Sequence, residues 1–234
     1  MGDLWNKLQD DVSKIFASPW TTRDGQGVPD PKDIKLGSND AVELEGTILY
    51  ADLAESTNLV DSKSAVEAAE IYKAYLHCAG NVINDTGGGI VSYDGDRIMA
   101  VYLGNSKNSN AAKAALRING AVNKMINPAL IKQYGQNAYQ IKQAVGIDTS
   151  NILVARTGVR GDNDLVWVGR AANYAAKLCS YRSGDYASII TADVFGRLND
   201  DVKLNKDGGI KWDLLTSKYN GISLYGSTWY TYDF

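Results

Sequence analysis

The chain has 234 residues, 44% of them apolar, and its 24 Lys and Arg stand against 27 Asp and Glu for a net charge of −3. That length and apolar share support one large domain, or one domain with an appendage, whose core needs neither metal nor disulfide. The slight acidity, without a long run of either sign, argues against a nucleic-acid binder, whose footprint is a basic face; a phosphate-bearing small molecule remains open.

Residues 3–16 read as an amphipathic helix, with Leu4, Trp5, Leu8, Val12, Ile15 and Phe16 on one face at helical spacing. Asp3, Asp10 and Asp11 argue against a membrane-surface helix, which wants Lys and Arg on its polar side. The apolar face is therefore expected to pack on the protein itself or on a second subunit. A stretch rich in Pro, Gly and Asp, from residue 18 to about 39, reads as an extended arm. The opening segment lacks a signal-peptide pattern, and no run of about 18 apolar residues predicts a bilayer span, so the expected location is the cytoplasm. Cys78 and Cys179 lie in apolar helical pattern without C-x-x-C or His spacing and read as buried free thiols.

The body begins near residue 43, which divides the chain into an expected 1–42 helix and arm and a 43–234 domain. A strand is predicted over 46–53, then a helix over 64–84 with a stripe of Ala65, Ala69, Tyr72, Leu76, Ala79 and Ile83. The turn Thr-Gly-Gly-Gly at 86–89 ends it. Strands over 90–93 and 97–103 flank a short Asp-Gly-Asp turn as a hairpin. A helix follows over 109–134, broken near Pro128, then strands at 140–147, 152–157 and 165–168 and a helix over 169–179. After Ile189 and Ile190 come a short helix and a Tyr- and Trp-rich tail that reads as hairpin strands. The order strand, helix, hairpin, helix, strand is that of an α+β, ferredoxin-like βαββαβ sandwich. In that layout the first strand ends beside the central hairpin, so Asp52 and Asp96 converge.

Two such carboxylates repel each other unless a cation sits between them. The one histidine, His77, lies mid-helix, and hard oxygen donors without soft partners suit Mg²⁺ or Mn²⁺. Two such ions roughly 3.5–4 Å apart serve in-line phosphoryl displacement. Either aspartate taken singly also fits a plain turn residue.

Three segments carry a resemblance. ILYADLAEST (48–57) is similar to the first metal motif of class III nucleotidyl cyclases, and YDGDRIMAVY (93–102) resembles the second. VGRAANYAAKL (168–178) resembles the family's G-x-x-V-N-x-A-A-R-L helix. The resemblance spans about residues 43–230. It implies a class III cyclase catalytic domain in which Asp52 and Asp96 hold two divalent cations, Mn²⁺ or Mg²⁺, with the Leu53 carbonyl completing one shell. It further implies that Asn173 orients the ribose and that Lys177 stands in for the arginine that stabilises phosphate charge. Lysine offers a point charge where arginine offers a planar fork. A homodimer with both active sites at the interface is implied as well, and Lys218 is one candidate for gripping the distal phosphates.

The family's adenine readers fall here on Ser92 and Val166, which cannot make those contacts, and the guanine-reading Glu is absent. Tyr50 lies two residues before Asp52, so both side chains share one face of the strand. A tyrosine there shortens the pocket and favours a one-ring base. Arg97, directly after Asp96, is placed to hold a triphosphate oxygen or a base carbonyl. Together these features resemble the pyrimidine (uridylate) cyclases of bacterial Pycsar antiphage systems. That resemblance implies a lyase converting UTP to cyclic UMP and pyrophosphate, a signal read by a separate effector. A CTP cyclase, an adenylyl cyclase with a divergent pocket and an inactive nucleotide-binding domain are the alternatives. Asp94 is open between a metal role and a turn role.

Overall fold

The computed structural model describes residues 2–181 and 185–233. These form two compact units, one of residues 2–45 and 151–169, the other of 46–150, 170–181 and 185–233. Helix α1 (Asp3–Ala17), strand β1 (Thr21–Asp24) and strand β6 (Asp162–Val168) belong to the smaller unit. The long strands β2 (Asp40–Ala54) and β5 (Lys142–Val159) contribute residues to both.

In the larger unit, α2 (Ser56–Ser62) and α3 (Ala65–Asp85) follow β2, and the hairpin β3 (Gly89–Asp94) and β4 (Arg97–Tyr102) comes next. Helices α4 (Lys107–Ala121) and α5 (Asn127–Tyr134) lead to β5, and α6 (Arg170–Cys179) to β7 (Ser188–Thr191). The chain closes with α7 (Ala192–Phe195), α8 (Asp200–Lys203) and the hairpin β8 (Asp213–Tyr219) and β9 (Ile222–Ser227). The strand order β3-β4-β2-β5-β7-β9-β8 starts with the four strands of a ferredoxin-like sandwich in that fold's order. β4 runs antiparallel to β2, with Thr47 opposite Tyr102 and Ala51 opposite Ile98.

Alternation along the strands decides which face meets the helices. Leu49, Ala51, Ile98, Ala100 and Tyr102 face one core with Ile71, Tyr75, Ala79 and Ile83 of α3 and Ala111, Ala115 and Ile118 of α4. Each large aliphatic side chain fully buried there contributes roughly 1.5–3 kcal/mol. The buried stripe of α3 runs through Ala68, Ile71, Tyr75, Ala79, Val82 and Ile83; it keeps the predicted Ala79 and Ile83 and lies one position off the predicted Ala69, Tyr72 and Leu76. Two overlapping helical stripes of apolar residues were available, and the sheet selects the one carrying Ile71 and Tyr75. The expected break near Pro128 takes the form of a π-helical turn at Val122–Ile126. Proline cannot donate to the carbonyl four residues back, and the wider turn accommodates that gap.

Two predicted strands prove to be one, because β5 runs unbroken through Asp148, Thr149 and Ser150. These turn-forming residues are held extended by partners from distant parts of the chain. Thr149 Oγ1 lies 3.1 Å from Thr47 Oγ1 and donates to the Gly46 carbonyl at 3.2 Å. Asp148, fully buried, accepts from Arg170 Nε at 3.0 Å and from the Thr191 hydroxyl at 2.6 Å. The Ser150 hydroxyl accepts from the Ala171 backbone N–H at 3.0 Å, so β5 also anchors the start of α6.

In the smaller unit the arm contributes a strand. β1 pairs in parallel with the first residues of β2, Thr21 opposite Asp40 through Asp24 opposite Glu43. β6 returns antiparallel on the end of β5, and Arg156 ties the unit together through Asn163 Oδ1 at 2.8 Å and the Ile34 carbonyl at 3.2 Å. The Asn39 amide closes the end of α1 on the carbonyls of Ile15 and Ser18, both at 2.8 Å. None of the residues of α1 is buried. No helix among the described residues is long and apolar enough to cross a membrane.

Candidate active site

β2 and the β3–β4 hairpin set two rows of side chains on the sheet face opposite the α3–α4 core. Tyr50 pairs with Met99, and Met99 with Ser92. One step nearer the strand ends, Arg97 pairs with Asp94 across the hairpin and lies beside Asp52. The hairpin loop is only Gly95 and Asp96. Gly95 takes φ +60, the left-handed value that a two-residue hairpin of type II′ requires at its first loop position.

Asp52 is 7% exposed. Its Oδ2 accepts two bonds from one guanidinium, Arg97 Nη2 at 2.7 Å and Nε at 3.3 Å. Burial and the neighbouring Asp96 carboxylate hold the Asp52 carboxyl above its usual range, against the opposing pull of Arg97. Asp96 Oδ2 is buried and makes no hydrogen bond. From the helix side, the Tyr75 hydroxyl donates to the Asp52 backbone carbonyl at 3.1 Å. Burial, and then the charge of Asp96, push the Tyr72 phenol up as well. Tyr50 is raised by burial, with Arg97 pulling the other way and Asp94 adding to the rise.

These donors fit a hard divalent cation. A buried carboxylate oxygen without a partner, next to a second carboxylate, is an arrangement that costs free energy until a cation satisfies it. Among the described residues no cluster of three or more His, Cys, Asp or Glu forms a complete cage. Mg²⁺-type sites are commonly built from one or two carboxylates and substrate phosphates, so two aspartates suffice. Leu53 is buried directly after Asp52.

α6 lies on β5 at close range. A Cβ on Gly146 would strike the Ala175 carbonyl and stand 2.9 Å from the Leu178 carbonyl carbon, so only glycine lets helix and strand approach this closely. Asn173 and Lys177, four residues apart on α6, are exposed, and their side chains make no hydrogen bond or ion pair among the described residues. Lys218 is exposed on β8. Val166 belongs to the smaller unit, on β6 opposite Ala155, where it lines a hollow of about 480 Å³ with Trp20 and Leu36.

The structure therefore brings together Asp52, Asp96, Arg97, Tyr50, Ser92 and Asp94. Sequence reasoning missed Met99, which separates Tyr50 from Ser92, and Tyr75, which fixes the Asp52 backbone. Strand alternation from Arg97 would have flagged Met99, whereas Tyr75 carried no signal beyond its helical position.

A two-carboxylate site at the ends of β2 and the central hairpin of a ferredoxin-like sandwich defines a nucleotidyl cyclase catalytic domain of the class III fold. The guanylyl cyclase Cya2 superposes with a TM-score of 0.66 at 18% identity, over 82% of this chain and 95% of that one. The chain belongs to the uridylate cyclase family. It is 47% identical over 227 residues to a uridylate cyclase of Burkholderia cepacia, covering 97% of each chain. It is 44% identical over 216 residues to one of Xanthomonas perforans, covering 92% of each. No protein-family model matches the chain.

Proposed function

We propose that this protein converts UTP to 3′,5′-cyclic UMP and pyrophosphate. The observation that carries this reading is the meeting of Asp52, Asp96 and Arg97 under Tyr50, in a chain 47% identical to a uridylate cyclase. The ribose 3′-hydroxyl releases its proton to solvent, its oxygen forms a bond to the α-phosphorus, and the bond from that phosphorus to the bridging β-phosphate oxygen breaks to release pyrophosphate. Two divalent cations, Mn²⁺ or Mg²⁺, held by Asp52, Asp96 and the Leu53 carbonyl, would supply charge neutralisation at the triphosphate.

The chain's own residues position the substrate. Tyr50 projects from β2 on the same face as Asp52 and leaves room for a single-ring base. Met99 and Ser92 continue that row, a short and weakly polar edge that offers no purine-reading carboxylate or lysine. Asn173 orients the ribose, and Lys177 meets charge on the reacting phosphate, a positioning and electrostatic contribution of the kind that dominates phosphoryl transfer. Their exposure on α6 supports a homodimer in which each subunit completes the other's site. Val166 stands where a base-reading aspartate would be expected and offers no polar group. In this reading residues 43–234 form the catalytic domain, the enzyme is cytoplasmic, and cyclic UMP is an antiphage signal sensed by a separate effector.

The reading is tested by incubating the protein with Mn²⁺ and each ribonucleoside triphosphate separately, with products identified by mass. Cyclic UMP from UTP is expected, and Asp52→Asn and Asp96→Asn should each abolish it. Cyclic AMP as the main product would discard the role given to Tyr50, and cyclic CMP would move the substrate to CTP.

A further inference from the structure

Asp52 Oδ2 is occupied twice by one guanidinium, at 2.7 and 3.3 Å, while the adjacent Asp96 keeps a buried Oδ2 without any hydrogen bond. A divalent cation seated between these carboxylates competes with Arg97 for Asp52 Oδ2. A guanidinium and a metal ion cannot both press on one carboxylate oxygen in a site so poorly solvated, because like charges at contact distance repel strongly there. We propose that Arg97 is the resident counter-ion of the metal centre: it neutralises Asp52 until a divalent cation loads, and the cation expels it.

The proposal rests on the two-aspartate metal reading above and adds a competition to it. The geometry gives Arg97 somewhere to go. Its side chain is 32% exposed, so its outer part already reaches the rim. Its strand-paired neighbour on the same face is Asp94, which is exposed and offers a second carboxylate without a change of backbone. From there the guanidinium faces the mouth of the site, where a triphosphate brings anionic oxygens that it can grip as a fork.

The arrangement makes physical sense in both states. Without a cation, Asp52 and Asp96 repel each other in a half-buried place, and one delocalised charge with several donors relieves that better than water at the rim. With a cation, the same charge becomes available to the nucleotide. Metal loading and phosphate grip are thereby coupled through a single side chain, since each state of Arg97 excludes the other.

The test is a Mn²⁺ titration of the full chain at pH 8 without nucleotide, read by the electron paramagnetic resonance of free Mn²⁺, and backed by the thermal shift that Mn²⁺ produces. Arg97→Gln should bind Mn²⁺ at least about tenfold tighter than the wild type and gain the larger shift in melting temperature. Arg97→Lys, which keeps the charge, should stay near the wild type. Asp52→Asn should weaken binding in both backgrounds. Equal or weaker binding by Arg97→Gln overturns the counter-ion role, as does a tenfold gain in Arg97→Lys. If neither the wild type nor Arg97→Gln binds Mn²⁺ and Asp52→Asn changes nothing, the metal reading itself falls and the counter-ion role with it.

Discussion

Tyr75 donates its hydroxyl hydrogen to the backbone carbonyl of Asp52 at 3.1 Å, and both partners are buried. One bond thus ties the middle of α3 to the point on β2 where the candidate metal ligand projects. The sheet fixes where Asp52 lies along the strand, while Tyr75 fixes the tilt of the peptide that carries it.

Tyr75→Phe removes that donor without changing the packing. Leaving a buried carbonyl without its partner costs about 1–3 kcal/mol, so chemical denaturation should show a loss of that order. The turnover number should fall more than KM rises, because small misplacement of a reacting group acts on the transition state. Unchanged stability and unchanged turnover would remove Tyr75 from the positioning of the site.

Asp52 makes a pH-dependent contribution of unusual sign. Its carboxyl is held above the ordinary range, chiefly by burial and then by Asp96. The folded state therefore binds this proton more tightly than the unfolded state does. Stability from this group is present at low pH and is lost as pH rises from the ordinary carboxylate range, near about 4, through the raised folded value. In EDTA at pH 7, Asp52→Asn should melt at a higher temperature than the wild type, and the gap should close as pH falls toward about 4. A mutant that melts lower at pH 7 would show that the Arg97 ion pair outweighs burial.

Gly146→Ala tests how α6 is seated. The added methyl meets the backbone of Ala175 and Leu178 rather than a flexible side chain, so either the helix or the strand must shift. A loss of roughly 1–3 kcal/mol, the usual cost of overpacking, is expected. It should come with a large drop in activity, since Asn173 and Lys177, proposed to meet ribose and phosphate, ride on that helix. Circular dichroism and turnover measured on the same preparation separate a shifted helix from an unfolded chain.

The face of α1 is open, with Leu8 and Val12 about half exposed and Phe16 86% exposed. If this face braces the proposed homodimer, Leu8→Glu with Val12→Glu should move the mass from light scattering toward the monomer. The larger unit should keep its melting temperature. An unchanged dimer mass would sink the bracing role. Truncation at residue 40 is a poorer test, because it would also remove β1 from its pairing with β2.

Much of the candidate site was legible in the sequence because the signals that propose it are local. A run of β-formers ending at Asp52, a Gly-Asp pair between two apolar strands, and an Asn and a Lys four apart on one helix are patterns of period and turn chemistry. Read in chain order they led to the sandwich and to two converging aspartates. Asp148, Thr149 and Ser150 misled in the same local way. Their turn-forming chemistry predicts a break, and partners distant in sequence, among them Thr47, Arg170 and Thr191, keep that stretch extended.

By itself, then, the sequence determined most of the helices and strands and which acidic residues stand at their ends, since backbone preference and hydrophobic period act over a few neighbouring residues. Only the tertiary structure decided the rows Tyr50–Met99–Ser92 and Asp52–Arg97–Asp94, the stripe of α3 that is buried, and the hold of Arg97 on Asp52. Strand register and charge pairing couple residues tens of positions apart. Such couplings are set when the sheet assembles and the cost of burying each charge is balanced against the partners within reach.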